Sequence, residues 1–503
     1  VRTPLTPLDF IERARRLFGP LEGVIDGERR LTYGALAERV DRLAELLRQR
    51  GCADGDRVAY LCPNTLELLE AYYGVLRAGC VLVPLNLRLA PAELQFVLDD
   101  CGARVLAVHP SQRALAASLV VADRIELGDD YLDRVAPGHA AHAVVDEDAV
   151  CELFYTSGST GRPKGVMLTH RNLHTHAVDS ALSMGTTHRD VVLHTIPLFH
   201  VNGWGTPHWV TVLGGRHVML ERFEPGEVLR LMEAESVTRL HLVPTMAIAL
   251  LQHADIATRD LSSLVQATVG GAPAGARLLR ELEDALGCEV IQGYGLTEAA
   301  PQLTKALTLR SHDELTIDEQ RRRRATTGLP NVGVDLRVLD DEGVEVTHDG
   351  VTPGEICVRS NHVMAGYWNR PDETAEALRG GWLHTGDVAT VDAEGYITIV
   401  DRKKDIIVSG GENVSSVEVE VCLAEHPAVL EAAVVGMAHD RWGEVPLAFV
   451  TLRPAVGAPT ERDLIEWVRA RLAHFKAPAR VEVVTELPKG GTGKVQKEEL
   501  RKR

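Results

Sequence analysis

Residues 151–165 read Cys151-Glu152-Leu153-Phe154-Tyr155-Thr156-Ser157-Gly158-Ser159-Thr160-Gly161-Arg162-Pro163-Lys164-Gly165. A mostly apolar run leads straight into a loop holding three glycines, four hydroxyl side chains and one lysine. Small residues let backbone N–H groups converge on an anion. Hydroxyls add donors, and the lysine supplies the positive charge a polyphosphate requires. The loop is not a Walker loop, which needs G-x-x-x-x-G-K-[ST]. Gly158 does stand six residues before Lys164, but Pro163 precedes that lysine and Gly165 follows it. A nucleotide-polyphosphate site passes this test, and a P-loop NTPase fails it.

Outward from this segment, short apolar runs alternate with helical spacing. Arg57–Cys62, Cys80–Pro84, Arg104–Val108, Arg239–Val243, Gln266–Val269 and Glu289–Ile291 read as buried strands. Leu36–Leu47 and Leu66–Arg77 repeat apolar residues every three or four positions, as amphipathic helices do. The alternation predicts an α/β fold of helix-covered sheets. Ligands of such sheets bind beyond the strands' carboxyl ends. Gly-rich loops are expected there at 156–165, at Gly270-Gly271-Ala272-Pro273 and at Gly293-Tyr294-Gly295, sharing one crevice. From about residue 353 the texture turns to short strands with polar turns. A compact α+β pattern follows, with helices Val417–Ala424 and Glu461–Leu472 and strands Ala432–Val435 and Ala448–Leu452. The charged stretch 401–405 marks the junction, so the expected division is a large domain, 1–403, and a small mobile domain, 404–503.

Bulk properties narrow the class. At 503 residues, two or more domains are expected. A net charge of −17 argues against a nucleic-acid binder, and Arg321–Arg324 reads as a solvated helix surface. The absence of an eighteen-residue apolar run predicts no membrane span, and the first sixteen residues show no secretory signal. Eight scattered cysteines without a C-x-x-C pair read as reduced, buried and cytoplasmic. The histidines at 170, 174, 176, 200 and 208 lack a complete zinc ligand set.

Three further segments carry chemistry. In Gln292-Gly293-Tyr294-Gly295-Leu296-Thr297-Glu298, an aromatic between glycines can lie against a nucleobase. Thr297 can donate to a phosphate, and Glu298 offers oxygen to magnesium. Asp387, closing Gly381-Trp382-Leu383-His384-Thr385-Gly386-Asp387, can accept from a ribose diol. Near the C-terminus stands Leu487-Pro488-Lys489-Gly490-Gly491-Thr492-Gly493-Lys494.

Taken together these segments resemble the signatures of the adenylate-forming superfamily, in its acyl-CoA synthetase branch, and the resemblance covers essentially the whole chain. It implies that Thr156, Ser157, Gly158, Ser159, Thr160, Gly161 and Lys164 hold the phosphates of ATP. It also implies that Tyr294 stacks on the adenine, that the backbone of Gly271, Ala272 and Pro273 flanks it, and that Gln292, Gly293 and Gly295 belong to the ATP/AMP site. Thr297 would contact the α-phosphate, Asp387 and Arg402 the ribose, and Glu298 with Thr156 a Mg2+ ion. Lys494 would bridge the substrate carboxylate and the α-phosphate. Two negative groups meet there, and an ammonium relieves their repulsion most in the transition state. Lys404 matches the hinge, and Gly410, Gly411 and Trp442, with Phe475, match the path of CoA. Ala477 and Ala479 stand where some relatives carry basic residues.

For the acid, the informative stretch is Pro197-Leu198-Phe199-His200-Val201-Asn202-Gly203-Trp204-Gly205. His200 matches a residue between carboxylate and phosphates, and Val201 and Trp204 match an acyl pocket. Trp204 resembles the gate of long-chain fatty acyl-CoA synthetases, where an indole plugs an apolar tunnel. The expectation is therefore a medium- to long-chain fatty acid–CoA ligase, as monomer or homodimer. An aryl or short-chain carboxylate ligase, or an enzyme delivering to a carrier protein, is the alternative. Amino-acid activation is disfavoured, because no aspartate follows Phe199 to meet an α-ammonium.

Overall fold

The computed structural model describes residues 2–503 except 129, 134, 136–144, 157–162, 411, 440, 454–456 and 491–493. Four sheets carry the fold. The quoted strand, Val150–Thr156, lies inside a seven-stranded sheet, parallel to Val81–Pro84 and antiparallel to Lys164–Thr169. Its hairpin register sets Thr156 opposite Lys164, so both ends of the glycine-rich loop leave the sheet together. A nine-stranded sheet has a parallel centre of Val191–Leu193, Arg239–Leu242, Gln266–Gly270 and Glu289–Gly295. Parallel neighbours need crossover connections, and the helices Pro225–Ala234, Pro244–Leu251 and Ala276–Leu286 supply them.

Helices pack between and over these sheets, as the alternation predicts, with one difference. Leu66–Arg77 is buried at every position rather than along one stripe. Its two carboxylates survive there because Arg29 meets Glu67 at 2.5 Å and Arg39 meets Glu70 at 2.6 Å. The helix His170–Ser183 starts directly after the hairpin strand, where Thr169 and Asn172 cap each other's backbone. Asn172 also donates to the carbonyls of Asn361 and Val363, which fixes the helix against the later chain.

The third sheet is antiparallel, in the order Val334–Leu339, Gly354–Ser360, Leu383–Val391 and Ile397–Arg402. After Arg402 comes a turn, and Ile407–Ser409 opens a separate five-stranded sheet built on the long hairpin Val429–His439 and Gly443–Leu452. Ser416–Ala424 and Glu461–Arg469 pack on that sheet around Val419, Leu423, Leu464 and Val468. Lys404 is exposed at the intervening turn. The two parts touch through Arg277, which donates to the His426 carbonyl at 3.2 Å, and through Arg453 with Glu281 at 3.3 Å.

Two expectations need correction. Gly293-Tyr294-Gly295 is not a loop but the end of the strand Glu289–Gly295, because Gly293 and Tyr294 pair with Lys305 and Thr304 of the returning strand. Arg321–Arg324 does lie on a helix, yet Arg324 is buried and bonded to Glu283 at 3.1 Å. Arg321 and Arg323 reach Asp284 and Glu394, each at 2.6 Å. All eight cysteines are free and buried. Among the described residues no helix is long and apolar enough to cross a membrane.

Candidate active site

One crevice collects side chains from three sheets. Asp387, 6% exposed on the strand Leu383–Val391, accepts from the Tyr294 hydroxyl at 2.6 Å and from Arg402 Nε at 3.2 Å. Strand pairing places Asp387 opposite Arg402, so the ion pair follows from register. Burial and the adjacent Asp387 carboxylate push the Tyr294 phenol well above its ordinary pKa, so it stays protonated and donating. Below it, Glu298 accepts from the Tyr367 hydroxyl at 2.9 Å, and its second oxygen has no partner among the described residues.

Lys494 enters this group from the C-terminal part. Its carbonyl accepts from the Gly490 N–H at 2.8 Å. Its Cε lies 3.7 Å from where a β-carbon on Gly271 would stand. Burial and the positive charge of Arg402 depress its pKa to about 8, with Asp387 and Glu298 opposing them. His200 faces the same lysine. Burial and that neighbouring charge push the imidazole down to about 3, so it is neutral at physiological pH and acts as a hydrogen-bonding group.

The acyl-side segment is bent by its backbone. Val201, Asn202, Gly203, Trp204 and Gly205 all have positive φ, from 36° to 80°. L-residues pay roughly 1–2 kcal/mol each in this region, so the turn needs outside support. Glu152, fully buried in the opening strand, provides it: Oε2 accepts from Asn202 Nδ2 at 3.3 Å, and Oε1 pairs with His208 Nε2 at 3.1 Å. The turn lays the Trp204 indole over bare backbone. A β-carbon on Gly270 would come within 3.1 Å of Cη2, and one on Gly271 within 3.7 Å of Cζ2. His241 meets Trp204 edge-on at 5.8 Å and Trp209 at 6.0 Å.

Other expected residues lie elsewhere or are otherwise engaged. Ser157, Gly158, Ser159, Thr160, Gly161 and Gly411 fall outside the described residues. Gln292 spends its amide on backbone, accepting from Ala274 N at 2.9 Å and donating to Thr326 O at 3.2 Å. Lys164 is ion-paired with Glu373 and stands over the Tyr367 ring at 5.3 Å. Gly410 has φ 62° and donates to the Trp442 carbonyl at 2.7 Å. Any side chain on it would strike that indole. Tyr367, Glu152 and Glu373 were not foreseen from sequence. Of these only Glu152 left a trace, as the one charge in an otherwise apolar run.

With this geometry in view, similarity to known proteins becomes informative. The AMP-binding enzyme family matches residues 12–368, and the AMP-binding enzyme C-terminal domain matches residues 418–494. A feruloyl-CoA synthase from Amycolatopsis sp is 42% identical over 494 residues, covering 98% of this chain and 97% of the relative. A long-chain-fatty-acid–CoA ligase from Thermus thermophilus is 38% identical over 514 residues, covering 98% and 94%. Among solved structures, an anthranilate CoA ligase in complex with anthranoyl-AMP superposes with a TM-score of 0.91. It is 28% identical, and the match covers 100% of this chain and 98% of that one.

Proposed function

The chain belongs to the AMP-binding enzymes and is an ATP-dependent acid–thiol ligase, and from that premise we propose that its acid is an aryl-substituted carboxylate. The observation that carries this reading is the wall behind the crevice. Trp204 lies over the bare backbone of Gly270 and Gly271, and His241 meets both Trp204 and Trp209 edge-to-face. Perpendicular rings above side-chain-free backbone make flat surfaces that a planar guest extends by stacking. The feruloyl-CoA and anthranilate ligases supply the matching chemistry among relatives. A fatty acid, favoured by Trp204 read alone and by the Thermus relative, is the second reading.

In the proposed reaction a carboxylate oxygen attacks the α-phosphorus of ATP, and pyrophosphate leaves. The CoA thiolate then attacks the acyl carbon and expels AMP. Asp387 holds the ribose diol, already aligned by Tyr294 and Arg402. Lys494 sits among His200, Gly271 and Glu298, where its ammonium can lie between carboxylate and phosphate. The free oxygen of Glu298 suits a hard cation such as magnesium, which together with Thr156 it would hold. Bound there, magnesium would supply positive charge to the phosphates. Lys164 exchanges Glu373 for the departing pyrophosphate. For the second step, Lys404 is the pivot between a domain of residues 1–403 and one of 404–503, and Gly410 and Trp442 line the approach of CoA.

Pyrophosphate release across a panel of carboxylic acids, with and without CoA, tests the reading. Cinnamates and benzoates are expected to outrun decanoate and hexadecanoate. The reverse order would restore the fatty-acid reading.

A further inference from the structure

Behind Trp204 the nine-stranded sheet presents a polar face where an alkyl tunnel would be apolar. Register pairs His241 with Thr268, Gly270 with Gly293, and Gly293 with Lys305. Paired residues share a face, and so do positions two apart on one strand. His241, Thr268, Gly270, Gly293 and Lys305 therefore line the same side, the side on which the Trp204 indole stands over Gly270.

Two of these residues are buried without partners. Lys305 is 1% exposed and its Nζ bonds to nothing among the described residues. His241 is 3% exposed and neither ring nitrogen is bonded. A buried polar group left unmade is expensive, so a terminus of this kind persists where something outside the chain satisfies it. Among the described residues no carboxylate does so for Lys305. Burial and the positive charge of Arg239, itself paired with Asp190 at 3.0 Å, push the Lys305 amine well below its ordinary pKa. His176, on the covering helix, spends Nε2 on the Gln302 N–H at 3.1 Å. Burial also keeps His241 neutral, its pKa pushed down to about 3, so that the ring offers one donor and one acceptor.

Resting on the aryl-acid reading above, we infer that Lys305 and His241 form a subsite for phenolic oxygen at the far end of the acid. Lys305 donates to that oxygen, and an unprotonated nitrogen of His241 takes the hydroxyl hydrogen. The pair is complementary to a phenol and wasted on a methyl terminus. A site built to bond a hydroxyl discriminates steeply against the analogue lacking it, because its own groups are then left bare.

The test compares 4-hydroxycinnamate, cinnamate, 4-carboxycinnamate and decanoate by pyrophosphate release, in the native protein and in Lys305→Met. The native protein is expected to favour 4-hydroxycinnamate over cinnamate by roughly 10²-fold or more in kcat/KM. In Lys305→Met that gap should collapse through loss on the hydroxylated acid, with cinnamate turnover retained as proof of folding. His241→Leu should narrow the same gap. The absorbance of bound 4-hydroxycinnamate should also differ between native protein and Lys305→Met, a readout independent of turnover. Equal native rates on cinnamate and 4-hydroxycinnamate, or an unchanged gap in Lys305→Met, would overturn the subsite and leave the aryl reading standing. Preference for 4-carboxycinnamate would overturn the phenol assignment in favour of a distal anion. Turnover of decanoate with none of any cinnamate would remove the aryl reading beneath it.

Discussion

The two sides of the crevice treat their polar groups in opposite ways. On the side proposed for nucleotide, three charged side chains already have partners within the protein: Asp387 has Tyr294 and Arg402, Glu298 has Tyr367, and Lys164 has Glu373. On the side proposed for the acid, Lys305 and His241 are buried with none among the described residues. A pre-paired site holds its shape before the ligand arrives and needs only to exchange or add bonds. An unpaired one stores a desolvation cost that the correct ligand relieves, which makes it selective. The contrast fits a reaction whose cosubstrate is common to a family and whose acid is not.

The largest expected effect falls where the sides meet. Lys494→Ala should lower adenylate formation by roughly 10²–10³-fold while largely sparing thioester formation from supplied acyl-adenylate. Equal loss of both half-reactions would contradict the two-conformation account. The same lysine predicts a pH dependence in the native protein. Its ammonium, the useful form, is lost as pH rises through its depressed pKa of about 8, so kcat/KM for ATP should decline above that value. Bound phosphates favour the ammonium, so the decline in kcat should lie at higher pH.

Next in size, Asp387→Ala removes the acceptor of both Tyr294 and Arg402. Loss of a charge-assisted bond is worth roughly 1.5–3 kcal/mol, expected as a raised KM for ATP with the ranking of acids unchanged. A reordered acid panel would mean that the two sides are not separable. The smallest effect belongs to Glu373→Gln, which releases Lys164 from a partly exposed ion pair. ATP should then bind slightly tighter, by at most about 1 kcal/mol, measurable by titration. Weaker binding would make Glu373 a positioning group rather than a competitor.

Sequence legibility follows the same divide. Tyr294, Glu298, Asp387 and Lys494 announce themselves because glycines and hydroxyls crowd around them in short motifs, and the structure gathers all four. The strands and helices were readable where burial is one-sided or complete. The strand ending Gly293-Tyr294-Gly295 was not, since its pairing partner lies across the turn at residues 296–301. Lys305 and His241 sit in runs, Gln302–Lys305 and Arg239–Leu242, that show no local sign of a ligand. Their importance arises only when four strands are set side by side, information that register holds and spacing does not. Glu152 is similar: an isolated carboxylate in an apolar strand says that something must meet it, but not that Asn202 and His208 do.

The turn at 201–205 has a consequence for how the protein fails. Three of its five left-handed residues, Val201, Asn202 and Trp204, carry side chains that disfavour the conformation, and Glu152 with the surrounding packing helps hold them there. Such a segment opens locally at a lower free energy than the sheets that flank it. Under mild heat or denaturant, choice among acids should therefore be lost first, leaving a protein that still binds nucleotide but no longer distinguishes what it activates.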